Sequence, residues 1–396
     1  MNSLLVALKK NGDYLSLLNE FERNELIKLR DTESFLCPAC REAVQLKLGK
    51  QRMYHFAHIA GSGCKASSEQ ESRYHLYGKK YLHDWLVNQS LNVEIEPYLK
   101  QISQRPDLLV EYNRKKYAIE FQCSTIEPAL FTKRTNFYRK IEVQPIWILG
   151  AKKVVRKSAN SFRFSSFQWL FMRVNDRAQL PIIYYFCPET CEFLVINQIS
   201  PFTSTEAFGT LHNLSTHQLP FSKVLHFPTT QINFTEQWNN KKKRWRVQFA
   251  SFPSKTDRRF VQELYQAKIP PSYIPAEAGL PVKSMYWIET PAIIWQMWIL
   301  LDNIINKKIG EIITFQSVYQ SFLKRRSTRC IKTRTPPLID QSHFSFAVME
   351  YLQTLTNLHI LTKIDKKTFK KMNDCKIPNS LEEAFVFDQE VIRILK

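Results

Sequence analysis

The stretch from Arg105 to Gln122 constrains the fold more than any other part of the sequence. Two runs rich in β-branched and aromatic residues, Leu108 to Val110 and Tyr117 to Phe121, are separated by the hydrophilic segment Glu111 to Lys116. This pattern predicts two neighbouring strands joined by a polar turn, and a β-hairpin is the simplest arrangement. We expect the surrounding chain to be arranged around this hairpin.

Two carboxylates interrupt the apolar pattern of the hairpin. Asp107 precedes the first strand, and Glu120 lies within the second. Because side chains alternate across a strand, Glu120 and Gln122 share one face, whereas Ile119 and Phe121 share the other. Burying an ionised carboxylate without a partner is costly, so Asp107 and Glu120 require a compensating cation, most simply a divalent metal. This requirement is typical of a nuclease site.

The charge of the chain indicates the kind of partner it binds. The 396 residues include 56 Lys and Arg against 36 Asp and Glu, which gives a formal net charge of +20. Such an excess favours a polyanion, because each phosphate that is neutralised releases counterions, and nucleic acid is the obvious candidate. A basic protein without such a ligand is the alternative. The length predicts two or three domains.

The sequence predicts neither export nor a membrane span. The apolar run at the start of the chain ends at Lys9 and Lys10 and lacks a small-residue cleavage site. The longest apolar stretch, Pro291 to Ile305, is interrupted by Gln296 and Asp302 and falls short of the ~20 residues that cross a bilayer. Eight cysteines without a targeting signal indicate reduced thiols, a metal site and a cytoplasmic location.

Cysteine and histidine residues cluster early in the chain. Cys37 and Cys40 form a C-x-x-C pair, and His55, His58 and Cys64 follow closely. Zinc prefers four thiolate or imidazole ligands in a tetrahedron, and a C-x-x-C turn presents two sulfurs. Cys37 and Cys40 are the firm pair; His58 and Cys64 are the preferred second pair, with His55 as the alternative. Without a metal, these would be buried cysteines and unrelated histidines.

The apolar side chains of residues 68–89 recur at intervals of three and four, a pattern that predicts a helix. Glu71 lies in its first turn, and two roles are open to it. It can form a capping box with Ser68, or it can lean towards Asp107 in the predicted sheet. His75, one turn further on, can face the same site or remain an ordinary surface histidine.

A second helix is predicted from Pro128, which fits a first turn, and a buried strand from Val143 to Leu149 follows it. Arg134 and Tyr138 lie one turn apart on this helix. Both can therefore reach a phosphate beside the carboxylates, Arg134 through bidentate hydrogen bonds and Tyr138 through its hydroxyl. A core tyrosine with an arginine at its rim is the alternative. The order helix, strands, helix, strand predicts an α/β nuclease core.

The order of these motifs resembles that of the competence protein CoiA family. The resemblance lies in C-P-x-C, H-F-A-H, E-S-x-x-H, P-D, E-F-Q and R-x-x-x-Y, and it covers roughly Cys37 to Gly150. The central part is similar to the PD-(D/E)xK nuclease superfamily, which implies a restriction-endonuclease-like core. The C-terminal half shows a weaker likeness.

The resemblance implies roles for individual residues. The acidic pair of the superfamily falls on Asp107 and Glu120, and its helical glutamate falls on Glu71, which implies Mg²⁺ or Mn²⁺ at this site. Its usual lysine falls on Gln122, which can orient a water molecule but cannot supply charge. Three outcomes follow: a slow enzyme, an enzyme in which Arg134 replaces the lysine, or a domain that binds DNA without cutting it.

The sequence as a whole predicts an α/β (α+β) protein in three parts. Residues 1–66 form an N-terminal hairpin and zinc-finger-like module, residues 67–155 form the nuclease-like domain, and residues 156–396 form a mainly helical C-terminal domain. Within the last part, Ile182 to Ile196 predicts two strands around a C-x-x-x-C turn.

The densest basic run, Lys241 to Arg246, is a candidate for nucleic-acid contact. Lys243 and Arg244 can pair with phosphates, and Trp245 can stack on a base. A solvated helix face whose tryptophan packs inward is the simpler explanation, because charge runs commonly face water.

The resemblance implies a role in recombination during natural transformation. The expected function is that of a metal-dependent nuclease-type protein that processes incoming DNA, including single strands, with a recombinase or other competence proteins as partners. The alternative is a non-catalytic accessory factor that binds DNA and hands single strands to a recombinase.

Overall fold

The computed structural model describes residues 3–19, 21–49, 53–59, 64, 72–174, 180–228, 232–251, 257–339 and 343–395. These residues form a mixed α/β structure with three sheets. Strands and helices are numbered below in chain order.

The N-terminal residues form an antiparallel sheet with a helix, α1 (Arg23–Thr32), after its third strand. The strands are β1 (Ser3–Leu4), β2 (Val6–Lys9), β3 (Tyr14–Ser16), β4 (Phe35–Leu36), β5 (Ala43–Lys47) and β6 (His55–His58). They pair in the order β1-β6-β5-β4-β2-β3. The antiparallel pairing of β2 with β3 confirms the predicted N-terminal hairpin. Gly12 lies in its turn with a φ of +92°, a conformation that glycine adopts without strain.

The central residues form the sheet that carries Asp107 and Glu120. Helix α2 (Arg73–Val87) begins after Ser72, whose hydroxyl accepts a hydrogen bond from the His75 N–H. It is followed by β7 (Asn92–Ile95), β8 (Leu108–Tyr112), β9 (Lys115–Gln122), helix α3 (Pro128–Lys140) and β10 (Val143–Gly150). Strands β7, β8 and β9 pair antiparallel, and β10 runs parallel to β9 after the crossover through α3.

The hairpin predicted from the sequence is confirmed by the pairing of β8 with β9. Its turn is tighter than the six-residue polar segment suggests. Asn113 and Arg114 have φ values of +50° and +61°, the backbone that a two-residue type I′ turn requires.

Helices α2 and α3 cover opposite faces of this hairpin. Leu82 and Trp85 of α2 pack with Ile119, whereas Tyr138 of α3 packs with Ala118. The predicted alternation along β9 is therefore confirmed. Because of it, Glu120 faces α3.

The same sheet continues past residue 155, where the sequence predicts mainly helix. The further strands are β11 (Val155–Ser158), β12 (Ser161–Arg163), β13 (Arg173–Val174), β14 (Pro181–Cys187), β15 (Glu192–Pro201) and β16 (Glu206–Ser215). Since β14 pairs parallel with β10, ten described strands form one sheet, ordered β11-β12-β16-β15-β14-β10-β9-β8-β7 with β13 beside β14. The prediction of a mainly helical region is wrong for β12, β13 and β16, and the strands predicted around the C-x-x-x-C turn are confirmed.

Helices dominate only after residue 220. They are α4 (Phe221–Leu225), α5 (Thr235–Ser251), α6 (Arg258–Gln266), α7 (Ala292–Asn303), α8 (Phe315–Ser327), α9 (Phe344–Asn357) and α10 (Leu381–Ile394). A small antiparallel sheet, ordered β17-β19-β18, accompanies them: β17 (Ile312–Thr314), β18 (Leu361–Lys363) and β19 (Thr368–Lys371). One apolar cluster contains both Trp147 of β10 and Trp295 of α7, so the C-terminal helices share a core with the large sheet.

Candidate active site and metal centre

Asp107 and Glu120 occupy neighbouring positions in the large sheet. Strands β8 and β9 pair with Leu108 opposite Ile119, a register that places Asp107 opposite Glu120. The Asp107 carboxylate is held in place from the other strand, since its Oδ2 accepts a hydrogen bond from the Phe121 N–H at 2.7 Å. The backbone pairing thus brings the two predicted acidic residues together.

Two side chains of α2 approach Asp107. His75 Nε2 lies 3.4 Å from Oδ2, and Lys79 Nζ lies 4.0 Å from Oδ1. Burial acts to raise the pKa of Asp107, but His75, Lys79 and the Phe121 N–H outweigh it and hold the pKa well below its ordinary value. Asp107 is therefore an anion at neutral pH.

Glu120 is buried and held by two residues of α3. The Arg134 guanidinium donates from Nη2 to Oε1 at 2.6 Å, and the Tyr138 hydroxyl donates to the same oxygen. Burial raises the pKa of Glu120 to about 7; the Arg134 charge opposes this increase, and the Asp107 charge adds to it. Tyr138 is itself fully buried, so in this structure it positions a carboxylate and does not reach the surface.

The hydrogen bonds just described engage one oxygen of each carboxylate, Oδ2 of Asp107 and Oε1 of Glu120. Oδ1 of Asp107 has the longer ion-pair contact with Lys79, at 4.0 Å. Gln122, on the same face of β9 as Glu120, donates from Nε2 to the carbonyl and hydroxyl oxygens of Ser124, both at 3.1 Å. The remaining carboxylate oxygens are hard donors of the kind that Mg²⁺ and Mn²⁺ prefer.

A buried ion pair lies behind Asp107, and sequence reasoning missed it. Lys79 pairs with Oε1 of Glu96, and both side chains are buried. The Glu96 N–H donates to the Asp107 carbonyl at 3.0 Å, and Oε2 of Glu96 accepts from the Leu5 N–H, also at 3.0 Å. The available signal was an acidic residue before Pro97, at the end of an alternating strand, which does not reveal its partners.

Two predictions about the start of α2 fall outside the described residues, because they concern Glu71 and Ser68. The helical glutamate of the site and the capping box with Ser68 therefore stay predictions. Helix α2 is capped by Ser72, and His75 faces Asp107, the more specific of the two roles open to it.

Four predicted metal ligands converge in the N-terminal sheet. One ligand atom from each of Cys37, Cys40, His58 and Cys64 lies within 4.8 Å of the others. Burial, with a further increase from Cys64 and Cys37, raises the pKa of Cys40 to about 12. A bound cation is therefore what would keep this thiol as a thiolate. Three sulfurs and one imidazole in this arrangement could hold a metal ion.

The two histidines of the H-F-A-H motif have different surroundings. His55, the alternative ligand, lies outside the group and places Nδ1 2.9 Å from the Met53 carbonyl. Burial lowers the pKa of His58, and the charge of Arg105 lowers it further, which favours the neutral imidazole that binds metals. The metal centre thus lies near Arg105, two residues before Asp107.

Part of the basic run in α5 is structural. Lys242 and Arg246 are buried, and each pairs with Asp388 of α10 at 2.8 Å. Arg246 also donates to the Ile274 carbonyl at 2.8 Å. These two cations therefore join two helices and are not available to a nucleic acid.

The three residues predicted to contact DNA lie between these buried cations. Arg244 is exposed, and Lys243 lies over the Phe385 ring, with Nζ 5.4 Å from the ring centroid. Trp245 is half-buried and stacks on Phe249, with the ring centroids 4.4 Å apart. DNA contact by Lys243, Arg244 and Trp245 stays a prediction.

Family models match three consecutive parts of the chain. The model described as Competence protein CoiA, N-terminal domain, matches residues 18–67; the nuclease-like domain of the same family matches residues 71–229, and its C-terminal domain matches residues 234–385. The chain belongs to the CoiA family. The nuclease-like match contains Asp107 and Glu120 and extends through the strands of the large sheet to β16.

A relative gives the same family. Competence protein CoiA of Bacillus subtilis (strain 168) is 29% identical over 352 residues, which cover 88% of this chain and 91% of that protein. No solved structure matches the chain. Among the described helices, none combines the length and the apolar character that a membrane span needs.

Proposed function

We propose that this protein is a metal-dependent nuclease that processes incoming DNA for recombination during natural transformation. The observation that carries the proposal is the pair Asp107 and Glu120, which the β8–β9 register places opposite each other in a domain whose family model is described as nuclease-like. The relative from Bacillus subtilis is named a competence protein. A net charge of +20 suits a polyanionic substrate.

The residues at this site fit Mg²⁺ or Mn²⁺. Asp107 and Glu120 would hold the ion through the carboxylate oxygens that are not engaged by His75 and Arg134. When bound, such an ion supplies Lewis acidity and lowers the pKa of a water molecule for attack on a phosphodiester.

The other residues of the site position these carboxylates. Arg134 holds Glu120, and the hydrogen bonds to Asp107 hold the second carboxylate at the start of its strand. Gln122 can orient a water molecule through its amide but carries no charge. The positive charge that Gln122 lacks is present nearby in Arg134 and Lys79.

The test is DNA cleavage by Asp107→Ala and Glu120→Ala with a panel of divalent ions. We expect each change to reduce cleavage on the order of 10²-fold or more, because each removes a ligand of the ion. Calorimetric titration with Mn²⁺ should show the loss of the same site. Glu111→Ala, an exposed acid on the same hairpin, is the matched control and should cut normally. Wild-type rates in both site variants would exclude this site.

A second candidate function rests on Gln122 and on the contacts of Glu120. Because Arg134 and Tyr138 already satisfy one oxygen of Glu120, the site is also consistent with a DNA-binding accessory factor that serves a recombinase. That function predicts no hydrolysis with any divalent ion, together with binding that falls steeply with salt and ignores sequence.

We also propose zinc as the ion of the N-terminal cluster and a structural role for it. Closed tetrahedral sites with several cysteine ligands are typical of structural zinc, whereas catalytic zinc keeps an open position. The cluster of Cys37, Cys40, His58 and Cys64 supplies four protein ligands, which supports the structural role.

A further inference from the structure

The hairpin of β18 and β19 presents an unusual concentration of positive charge. Lys366 and Lys367 lie in its turn, residues 364–367, and Lys363 lies just before the turn. All three lysines are exposed. Within the part of the chain that the structure describes, none of these three lysines forms an ion pair. The hairpin therefore offers three solvated ammonium groups within five residues.

The one acidic residue of the turn is used internally. The Asp365 carboxylate accepts a hydrogen bond from the Lys367 N–H at 2.7 Å, which fits an Asx-type turn. Asp365 is exposed and also interacts electrostatically with Lys363, so it offsets part of the positive charge of the turn. Ile364 at the tip is 54% exposed, so an apolar side chain stands among the lysines.

The N-terminal end of α8 lies beside the same turn. The Phe315 N–H donates to the Lys367 carbonyl at 2.7 Å, and the Thr314 hydroxyl caps the helix. No acidic residue occupies the first turn of this helix. The partial positive charge of a helix N-terminus therefore adds to that of the lysines, an arrangement that favours phosphate.

The hairpin is held firmly on the helices beneath it. Phe369 of β19 is fully buried. Lys371 is buried too, and its Nζ donates to the carbonyls of Ile304 and Lys307 at 3.0 and 2.6 Å, at the end of α7. A charged surface that is ordered in advance costs less conformational entropy when it binds.

We propose that the β18–β19 turn and the first turn of α8 bind the phosphate backbone of DNA, as a second contact separate from the site at Asp107 and Glu120. The proposal rests on the proposed function only in taking DNA as the substrate. Phosphodiester groups are its ligand chemistry, and duplex and single-stranded DNA share them.

The test is a salt titration of DNA binding with the triple variant Lys363→Gln, Lys366→Gln, Lys367→Gln. Binding of fluorescent duplex and single-stranded DNA of equal length is followed by anisotropy without added Mg²⁺ or Mn²⁺, so that nothing is cut. We expect affinity to fall at least about 10-fold and the slope of log K against log salt to become shallower by about 2 to 3. The larger effect, on duplex or on single strand, identifies the preferred form.

The matched control is a second basic hairpin, the β8–β9 turn, in the triple variant Arg114→Gln, Lys115→Gln, Lys116→Gln. These side chains are also exposed, so this variant removes the same charge elsewhere. An unchanged slope in the β18–β19 variant, or equal losses in both variants, would overturn the proposal. DNA binding that weakens as expected in a protein that never cuts would leave this inference standing and remove the nuclease. If the protein cleaves DNA but the β18–β19 substitutions leave its DNA binding unchanged, the nuclease proposal would stand and this inference would be excluded.

Discussion

At the level of single residues, burial has different outcomes for Asp107 and Glu120. The cationic groups of α2 outweigh burial at Asp107, so its pKa is lowered. At Glu120 burial prevails over Arg134, and the pKa rises to about 7. The site therefore combines one permanent anion with one carboxylate that titrates near neutrality, a combination frequent at functional sites.

The first prediction concerns Glu120 and pH. The folded protein keeps the Glu120 proton up to about pH 7, whereas the unfolded chain releases it near the ordinary value of 4.5. The unfolded state thus binds fewer protons in this window, and the free energy of unfolding falls as pH rises through it, by up to about 1.4 kcal/mol per unit. Urea unfolding of wild type and Glu120→Gln without added Mg²⁺ or Mn²⁺ measures this slope. Glu120→Gln should lack it, and parallel curves would contradict the assigned pKa.

The residues of the site were predictable from sequence to the extent that their signals were local. Alternation along β9 was enough to place Glu120 on the face opposite Phe121, and the hairpin register then brought Asp107 across from it. Lys79 and Glu96 were missed because neither shows its partner in the surrounding residues. Their pairing depends on how α2 lies over the sheet, which is information that no local pattern contains.

At the level of elements, the approach of α2 to β9 depends on a glycine. A Cβ built on Gly78 would lie 1.9 Å from Cε1 of Phe121, so only glycine lets the helix lie this close. His75 and Lys79, which reach Asp107, flank this contact on the same helix. The spacing between helix and sheet therefore sets the geometry of the site.

Gly78→Ala tests that spacing. We expect the free energy of unfolding to fall by about 1–3 kcal/mol through overpacking, which outweighs the ~1 kcal/mol that alanine contributes to a helix. Urea denaturation measures the change. Gly49→Ala is the control, because nothing lies within 4 Å of its added Cβ. Combining Gly78→Ala with Phe121→Leu should recover part of the loss, and a Gly78→Ala protein as stable as wild type would show that the helix can move freely.

Elements were predictable where turn chemistry and periodicity agreed. The β8–β9 and β2–β3 hairpins each have one residue suited to positive φ at the turn, Asn113 and Gly12 respectively, and alternating side chains beside it. Strands β14 and β15 were predicted because they flank the C-x-x-x-C turn. Strands β11, β12 and β16 were missed, since their side chains do not alternate regularly between buried and exposed, and without that alternation the local sequence does not predict a strand.

At the level of the whole molecule, the N-terminal sheet and the large sheet meet behind the candidate site. The Leu5 N–H donates to Glu96, and the metal centre lies near Arg105 through His58. Both contacts lead to the segment that ends in Asp107. Loss of the metal centre should therefore affect more than its own module.

The corresponding prediction is that the purified protein carries one zinc ion per chain and loses stability when a chelator removes it, since structural zinc contributes directly to folding. Elemental analysis and thermal unfolding measure the two effects. His58→Ala should lose the ion, whereas His55→Ala should retain it, because His55 lies outside the ligand group. If His55→Ala lost zinc while His58→Ala kept it, the ligand set would have to be exchanged.

The parallel pairing of β14 with β10 has a consequence for how the chain can be divided. A fragment that stops at residue 155 would keep Asp107 and Glu120 but would remove the strand that covers β10. Strand β10, which contains the apolar Ile148 and Leu149, would then expose its backbone at the edge of the sheet. Two copies of the fragment could pair through this edge and aggregate. Evolutionary exchange of the nuclease-like part among relatives would likewise have to carry the strands through β16 with it.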